Sequence, residues 1–438
     1  MDVLEAPLPG AATSREQLLA FAERQARPLL LRIPTDGDDR ERVPVRPTGP
    51  SEPLPPNLHR LLAHAPYPEG RVAPGIPVPQ RVLGTVAASA PQRFEVRSAV
   101  NPHRAYPAAH CFYSAQLFLL ADDAAWHYDA AGHRLARLAG WAGLDRALSG
   151  GARLEVVCHL GSIPTRYREL RWGLSLCEAG HLLELLARTA AAHRLTARTL
   201  LEGSEEALLE RLGLRGEDGW VPAGGIELRP DADQAVPEPA RPGPSWADVL
   251  FERTAGRANK GFAPAPAPLG REAVEEVLRA VGEATAAVPP ASEGGLDVVL
   301  LARDAAGLRP GCYRLAPGLP PQPVPGPDMD LVQRHFSYPP TQMAISGCPA
   351  ALLMVGDHEA AIRAGGERGL RRLQLRMGAV AQAAGMAITP HGGFLRPARS
   401  FDPEPLAAAL ELPPTRLPVY LALMGTNRFT DLLLDVRR

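Results

Sequence analysis

Short apolar runs alternate with long stretches of helical periodicity along most of this chain. Residues 153–158 and 350–355 are apolar runs of the length of a buried strand. Each is followed by a long stretch with apolar residues at helical spacing, at 168–194 and at 359–386. A last apolar run, residues 419–425, is a further predicted strand. Helices that alternate with short strands predict an α+β fold.

One pattern of turn, apolar strand and tyrosine-bearing strand occurs twice in the sequence. The first occurrence begins at Pro107 and reaches Tyr128, and the second begins at Pro290 and reaches Tyr313. A repeat with this spacing is much longer than a solenoid unit, so it indicates two fused copies of one domain. If the parent fold has its site at a two-fold interface, fusion allows one site to be kept and the other lost.

The same patterns divide the chain into four segments. Residues 1–57, rich in proline and charge, form an accessory segment with one helical stretch at 15–27. The remaining segments are the first copy at 58–230, a proline-rich linker at 231–245 and the second copy at 246–438. Residues 317–327 are predicted to form an exposed loop within the second copy.

Composition narrows the class of protein. With 438 residues, 45% hydrophobic and 22% charged, the chain is typical of a globular protein with two substantial domains. A net charge of -1 gives no reason to expect a nucleic-acid partner. No apolar run approaches a membrane span, so we expect a cytoplasmic protein. The five cysteines form no Cys-x-x-Cys pattern, so we expect buried apolar fillers and no metal site.

The second copy opens with a turn suited to binding phosphate. Arg253, Thr254, Arg257 and Lys260 place two guanidinium groups, a hydroxyl and an ammonium within eight residues. Such groups bind phosphate through charge-assisted hydrogen bonds. Lys260 is also the only lysine in the chain. A solvated charged turn remains the alternative interpretation.

Two further elements of the second copy carry candidate chemistry. Gly392 and Gly393 follow the second long helix, and paired glycines let the backbone approach a flat ligand closely. A plain helix C-cap is the alternative for this turn. Arg428 follows the last strand and is a candidate for a further phosphate contact.

Taken in this order, the elements resemble those of the nitroreductase-like flavoprotein family. The turn at 107–110, together with Gly307-Leu-Arg-Pro-Gly before Tyr313, resembles the SagB/ThcOx branch. That branch contains the azoline dehydrogenases of thiazole/oxazole-modified peptide biosynthesis, including thiopeptide biosynthesis. The resemblance implies tandem nitroreductase-like domains that form an intramolecular pseudo-dimer, with FMN as cofactor.

The resemblance also implies roles for individual residues. The residues expected to contact FMN are Arg253, Thr254, Arg257 and Arg428 near the phosphate, Lys260 near the phosphate or the pyrimidine edge of the ring, Gly392 and Gly393 near N5 and O4, and Pro107, Ala108, Ala109 and His110 across the interface. Glu252 departs from the family pattern, because many relatives carry another arginine there. In the first copy, Leu200, Leu201 and Glu202 are expected to replace the glycine turn. We therefore expect one FMN per chain.

Related azoline dehydrogenases carry a Lys-Tyr pair before the long helix, and the matching residues here are Arg166 and Tyr167. Because arginine does not deprotonate in proteins, Tyr167 is the candidate base, with Arg166 lowering its pKa. His391 and His110 are further candidates for proton transfer, whereas His181 is expected to be structural.

The function implied by the resemblance is oxidation of thiazolines or oxazolines to azoles in a ribosomally synthesised peptide. The expected partners are the azoline-bearing peptide, cyclodehydratase proteins and further copies of the chain, with no nucleic acid and no membrane. Two alternatives stay open. One is an NAD(P)H-dependent flavin reductase of small molecules, and the other is a flavin-free scaffold in a peptide-modifying complex.

Overall fold

The computed structural model describes residues 9, 13–26, 39–41, 43–140, 143–201, 205–231, 243–257, 261–287, 295–429 and 432–438. Its helices are α1 Arg15–Ala26, α2 Val78–Ala87, α3 Leu144–Leu148, α4 Leu170–Ala192, α5 Glu205–Arg211, α6 Trp246–Glu252, α7 Arg271–Ala286, α8 Met329–Arg334, α9 His358–Ile388 and α10 Pro403–Ala409.

The strands form two large antiparallel sheets and one small one. The first large sheet contains β1 Ser51–Pro53, β4 Ala115–Ala121, β5 Ala124–Asp129, β6 Arg134–Ala139, β7 Ala152–His159, β8 Leu195–Leu200 and β9 Trp220–Pro230. The second contains β10 Leu296–Ala302, β11 Gly311–Leu315, β12 Gln322–Val324, β13 Ala350–Asp357, β14 Gly393–Ala398 and β15 Arg416–Thr426. The small sheet contains β2 Pro91–Glu95, β3 His103–Arg104 and β16 Leu433–Asp435.

The two large sheets share one strand order. The first runs β6-β5-β4-β7-β9-β8, with β1 added at one edge, and the second runs β12-β11-β10-β13-β15-β14. Each strand of one sheet therefore has a counterpart in the other, in the same position and the same chain order. This correspondence confirms the predicted tandem α+β copies.

The copies pack against each other through α4 and α9, which cross at a pair of glycines. Gly180 and Gly378 each lie 28 residues after the first residue of the preceding strand, Ala152 or Ala350. A Cβ on Gly180 would overlap the carbonyl oxygen of Leu375, and one on Gly378 would overlap that of Cys177. Because Cys177 and Leu375 are themselves equivalent, the contact is isologous, as at a two-fold dimer interface. The predicted pseudo-dimer is confirmed within one chain.

The predicted long helices are present, with one deviation in each copy. In α9 the backbone leaves helical geometry at Gly365 and at Gly366, whose φ is 57° and ψ is -132°. Arg168 takes nearly the same angles just before α4, with φ 47° and ψ -134°. Only glycine adopts this region without strain, so the first copy keeps a glycine-type conformation without the glycine.

The ends of the chain join the two copies. Helix α1 packs on α9, and Phe21 meets the α4 residue Trp172 edge to face with ring centroids 5.5 Å apart. Strand β1 pairs with β6 of the first copy, while β16 at the C-terminus crosses over to pair with β2. Within the segment at 1–57 that we predicted as an accessory, Leu18, Phe21, Ala22, Ala26 and Leu54 are buried in the core, whereas most other described residues are exposed or half-buried.

Two predicted connecting segments, the loop at 317–327 and the linker at 231–245, can be compared with the structure. The exposed loop predicted at 317–327 contains β12, which pairs with β11, so that prediction is wrong in part. Most of the predicted linker, residues 232–242, lies outside the described residues.

All five cysteines are free; four are buried and Cys111 is half-buried. Among the described residues, no helix has the length and apolarity to span a membrane, and no group of three metal-ligating side chains is found.

Candidate functional site

The predicted phosphate turn, residues 253–257, lies directly after α6 and against β14. The backbone oxygen of Thr254 accepts a hydrogen bond from the Leu395 N–H at 3.2 Å, and its hydroxyl accepts one from Gly256 N–H at 3.2 Å. Arg253 is 4% exposed and donates through Nη2 to the backbone oxygen of Arg104 at 3.2 Å. The second copy's turn is therefore bonded to the first copy's chain.

Three arginines around this turn have a nitrogen without a hydrogen-bond partner. Within the described part of the chain, the buried Nε atoms of Arg253, Arg257 and Arg396 find no acceptor. Burial lowers the pKa of both Arg253 and Arg396 to about 10, which reflects the cost of holding these charges away from water. Unpartnered buried donors of positive charge fit an anion such as a phosphate monoester.

Arg396 was not among the residues predicted from the sequence. It donates through Nη2 to the Gly256 oxygen at 3.2 Å, and its guanidinium lies 4.4 Å from the ring centroid of Phe262. No motif signals it, because it lies inside β14 rather than in the turn. Its place in the site follows from the pairing of β14 beside residues 253–257.

Two carboxylates partly balance the positive charge of Arg253, Arg257 and Arg396. Glu252 accepts from Arg257 Nη2 at 2.8 Å, so the residue that departs from the family pattern is a neighbour of the phosphate turn. Glu95 pairs with Arg93 at 2.8 Å and lies 4.0 Å from Arg257 Nε. Asn427 accepts from the Arg257 N–H at 2.8 Å. The last strand thus contributes through Asn427.

Arg428 and Lys260 were also predicted to contact phosphate. Arg428 is exposed, with its guanidinium 5.6 Å from the Phe429 ring centroid. Lys260 lies outside the described residues. Their proposed contacts with phosphate remain predictions.

The glycine turn of the second copy presents an open backbone. Gly392 is exposed with φ 67°, and a Cβ there would meet no atom within 4 Å. Gly393 begins β14, and a Cβ there would overlap Ile388. The neighbouring His391 donates from Nε2 to the Glu276 carboxylate on α7 at 3.1 Å. The Gly392 N–H donates to the Thr389 oxygen at 3.0 Å, so the turn is open because Gly392 has no side chain, while the His391 side chain is engaged with α7.

The first copy contributes the turn at 107–113, which lies next to the arginine cluster. Pro107 accepts a hydrogen bond through its backbone oxygen from His181 Nδ1 at 3.1 Å, and the Tyr420 hydroxyl bonds His181 Nε2 at 3.2 Å. Burial lowers the pKa of His181 to about 3, so the ring is neutral, with the proton on Nδ1. The predicted structural role of His181 is supported: it joins the turn of the first copy to β15 of the second.

The backbone of this turn is strained. His110, Cys111 and Tyr113 have φ values of 46°, 55° and 50°, a region that residues with a Cβ rarely adopt. Desolvation of the His110 ring, with the charges of Arg166 and Arg396, lowers its pKa below 6.5. Strained positions of this kind cluster at functional sites. His110 is therefore a neutral imidazole between residues of both copies.

Arg166 and Tyr167 lie on the same side of the first copy. The Tyr167 ring meets Phe112 edge to face, with centroids 6.0 Å apart, and Phe112 lies 5.6 Å from His110. The pKa of Tyr167 is raised, because burial and the nearby Tyr338 outweigh the charge of Arg166. The charge of Arg166 does lower the pKa of Tyr167, as expected, but the net shift is upward, and Tyr167 is a protonated phenol at neutral pH.

The N-terminal segment reaches this edge as well. Asp39 accepts hydrogen bonds from the Thr165 hydroxyl and N–H, and this bonding holds the pKa of Asp39 below its usual value. The Arg40 guanidinium lies 5.1 Å from the Phe112 ring centroid. No pattern in the sequence indicated these contacts, because they join residues more than 70 positions apart.

The first copy has a closed version of the glycine turn, at a different place from the one we predicted. Strand β8 begins at Leu195 and pairs with β9 as β14 pairs with β15, so Arg194 and Leu195 correspond to Gly392 and Gly393. The expected match at Leu200 and Leu201 is therefore wrong, because those residues lie at the far end of β8, and Glu202 is outside the described residues. The prediction was wrong because it matched the two glycines to the apolar residues Leu200 and Leu201, whereas the equivalent position lies just after the end of α4.

Arg194 keeps the left-handed backbone of the turn, with φ 56°, but its surroundings are filled. Its Nε donates to the Val72 oxygen at 2.8 Å, and its own oxygen accepts from Arg81 Nη1 at 2.9 Å and from the Asp231 N–H at 3.1 Å. The side chains and backbone of the first copy thus occupy the surface that stays open at Gly392.

No protein-family model matches this sequence, and no curated protein matches it. Among solved structures, a protein described as a nitroreductase from Anabaena variabilis aligns with a TM-score of 0.69 at 14% identity, covering 94% of this chain and 99% of that one. This likeness includes both copies. The chain adopts a nitroreductase fold. At this identity the comparison concerns the fold alone.

Shorter alignments cover about half of the chain. A protein described as a nitroreductase from Ralstonia eutropha aligns with a TM-score of 0.34 at 19% identity, over 44% of this chain and 89% of that one. A chain of the E. coli microcin synthetase McbBCD complex with truncated pro-MccB17 bound aligns with a TM-score of 0.34 at 14% identity, over 52% of this chain and 84% of that one.

Proposed function

We propose that this protein is an FMN-dependent dehydrogenase that oxidises thiazolines or oxazolines to azoles in a ribosomally synthesised peptide. The observation that carries the flavin assignment is the set of unpartnered Nε atoms on Arg253, Arg257 and Arg396 beside the open turn at Gly392. The azoline assignment rests on the motifs at 107–110 and 307–313. The proposed partners are the azoline-bearing peptide and cyclodehydratase proteins.

In this proposal the second copy, 246–438, binds the cofactor, and the first copy, 58–230, closes the site. Arg253, Thr254, Arg257 and Arg396 would bind the phosphate, with Lys260 and Arg428 as further proposed contacts. The backbone of Gly392 and Gly393 would lie against the ring edge. The residues proposed to contact the ring from the first copy are Pro107, Ala108, Ala109 and His110.

Azoline oxidation removes a proton from one ring carbon and a hydride from the next. FMN, when bound, supplies the hydride acceptor and is reoxidised by molecular oxygen. The proton needs a base near the cleft. His110 suits this role, because its lowered pKa leaves the imidazole neutral at pH 7. Tyr167, with its raised pKa, suits it less.

One observation favours a second candidate function, the reduction of a small molecule with NAD(P)H. Reduction of an enone or a nitro group requires a proton donor rather than a base. The raised pKa of Tyr167 keeps its phenol protonated, and the ring lies in contact with Phe112 beside the cleft. A reductase would therefore use Tyr167 as the acid.

The deciding experiment incubates the flavin-loaded protein, under air, with a cyclodehydratase-treated peptide and measures the peptide mass. The proposal predicts loss of two hydrogen atoms per ring and a lower kcat for His110→Gln, with Tyr167→Phe little affected. Unchanged peptide mass, together with rapid NAD(P)H oxidation that falls in Tyr167→Phe, would assign the reductase instead. A colourless protein that binds no flavin would contradict both.

A further inference from the structure

A further pocket is formed by the first copy together with residues of the N-terminal segment. It is a cavity of about 430 Å³, and its walls come from β4, β5, β6, α4 and the N-terminal residues Val43 and Val45. No described residue of the second copy lines it. The volume falls within the range of ordinary small-molecule sites. The cavity shares the segment 104–113 with the candidate flavin cleft, and its lining also includes residues 127–131, 134 and 136 of β5, β6 and the turn between them.

Two unpartnered hydrogen-bond donors line this cavity. Tyr128 is 3% exposed, and its hydroxyl has no partner among the described residues; the Nε of Arg104 is likewise buried without an acceptor. The charge of Arg104 acts on Tyr128, so the two groups lie near each other. Unsatisfied buried donors are costly, and two that converge on one cavity fit an acceptor from a ligand.

Among the described residues Arg104 forms no ion pair within 4 Å, and Asp129, which lines the same cavity, is paired with Arg134. Its guanidinium stacks 4.1 Å from the Tyr113 ring centroid and donates from Nη1 to the Tyr106 hydroxyl at 2.7 Å. Glu178 is the carboxylate that acts on it from farther away, and burial raises the pKa of Glu178 to about 7. Near neutral pH the cavity therefore keeps positive charge, which an anionic ligand would balance.

The rest of the lining is apolar or neutral apart from Asp129 and Arg134, which pair with each other at 2.8 Å. Leu117, Leu182 and Ala136 form part of the wall, and His127 is held neutral because burial lowers its pKa to about 4. A ligand that matches both the donors of Arg104 and Tyr128 and the apolar side chains would carry one carboxylate group on an otherwise apolar molecule.

We propose that this cavity binds an organic carboxylate, which would accept hydrogen bonds from Arg104 Nε and the Tyr128 hydroxyl. The proposal is independent of the flavin assignment. The carboxylate could belong to a free small acid or to an acidic residue of a peptide, because the donors recognise the same group in either.

The test uses the full chain and ligand-observed NMR titration with 3-phenylpropanoate, with its amide as the matched neutral probe. A capped Leu-Glu-Leu peptide represents the peptide source. We expect the acid to bind at least tenfold more tightly than the amide. Binding of the peptide alone would assign the site to a peptide carboxylate, and binding of the acid alone to a free acid. Absence of binding by both would overturn the proposal.

Variants locate the binding within the molecule. Tyr128→Phe removes an unpartnered hydroxyl, so the fold is expected to be at least as stable while the Kd rises about fivefold. Arg104→Gln and the cavity-filling Ala136→Leu should each raise the Kd at least tenfold. Arg166→Gln, on the flavin side, serves as the control and should change the Kd less than twofold. Binding that is lost in Arg166→Gln, or kept in both Tyr128→Phe and Arg104→Gln, would contradict the proposed site.

Discussion

The turns at the ends of α4 and α9 occupy equivalent places, yet one is closed and the other open. Arg194 and Gly392 share a left-handed backbone, with φ of 56° and 67°. Arg194 is bonded to Val72, Arg81 and Asp231, whereas a Cβ at Gly392 would meet nothing within 4 Å. The backbone geometry of the turn is thus kept in both copies, and the residues around it decide which copy can admit a ligand.

The arginines of the predicted phosphate turn are also present in only one of the two copies. The short helix at 58–62 comes early in the first copy, as α6 does in the second copy. It is followed by Ala63, His64 and Ala65, whereas α6 is followed by Arg253 and Thr254. One copy therefore holds both halves of a candidate cofactor site, and the other supplies the covering turn at 107–110. The burial of Arg194 agrees with the proposal that only the second copy holds a cofactor.

The largest expected effect is on flavin retention. Gly392→Val places a branched side chain on the open turn at a left-handed φ that it tolerates poorly, so we expect the Kd for FMN to rise at least 100-fold. Leu200→Gly, at the far end of β8, should leave flavin content unchanged. Both are measured by flavin absorbance after gel filtration, with circular dichroism as the folding control. Equal losses in the two variants would refute the assignment to the second copy.

The second comparison concerns Glu178 and Arg376, which each lie 26 residues after the start of the preceding strand, Ala152 or Ala350. Burial raises the pKa of Glu178 from 4.5 to about 7. The folded state therefore binds a proton that the unfolded state releases, and this contribution to stability is present below pH 4.5 and is lost as pH rises through 7.

Relative to Glu178→Gln, the free energy of unfolding of the wild type should fall by roughly 2–3 kcal/mol between pH 4.5 and pH 8. Denaturant titrations at several pH values measure the difference. Arg376→Gln serves as the control: since arginine stays charged over this range, its difference from the wild type should not vary with pH. A flat difference for Glu178→Gln would show that this carboxyl is not held protonated.

The next largest effect is expected on the affinity for FMN when Arg396 is replaced, because strand pairing places this residue beside 253–257. Arg396→Gln removes a donor with an unpartnered Nε, and we expect a loss of about 2 kcal/mol in FMN binding, roughly 30-fold in Kd. Arg314→Gln, exposed on β11, is the control and should change the Kd less than twofold. Fluorescence titration with FMN measures both, and indistinguishable affinities would remove Arg396 from the site.

The smallest effect concerns the strained residue before α4. Arg168 and Gly366 both lie 16 residues after the start of the preceding strand and share a glycine-type conformation. Arg168→Gly should raise the free energy of unfolding by about 1 kcal/mol, since the relief of strain exceeds the added chain entropy. Gly366→Ala should lower it by about 1–2 kcal/mol. Thermal unfolding measures both, and a destabilised Arg168→Gly would show that the backbone there is not strained.

The sequence predicted the fold well because its signals are local and repeated. Helical periodicity located α4 and α9, and the duplicated strand pattern indicated the tandem copies. The turn at Gly392 and the arginine at 253 were likewise visible, since they are contiguous motifs. These features depend on neighbouring residues, which a sequence displays directly.

The features that were missed depend on pairing between distant segments. Arg396 enters the site only because β14 lies beside residues 253–257. The match at Leu200 was wrong because strand register, which fixes Arg194 as the equivalent residue, cannot be read from an apolar run. The raised pKa of Tyr167 comes from burial and Tyr338, a residue 171 positions away.

The central claim is that one cofactor site survives, in the second copy. The most direct measurement saturates the purified chain with FMN, removes the excess by gel filtration and quantifies the flavin released on denaturation against the protein. We predict about one FMN per chain. A ratio of two would show that the turn at Arg194 also admits the cofactor, and a ratio near zero would show that neither copy holds it; either result would contradict the account.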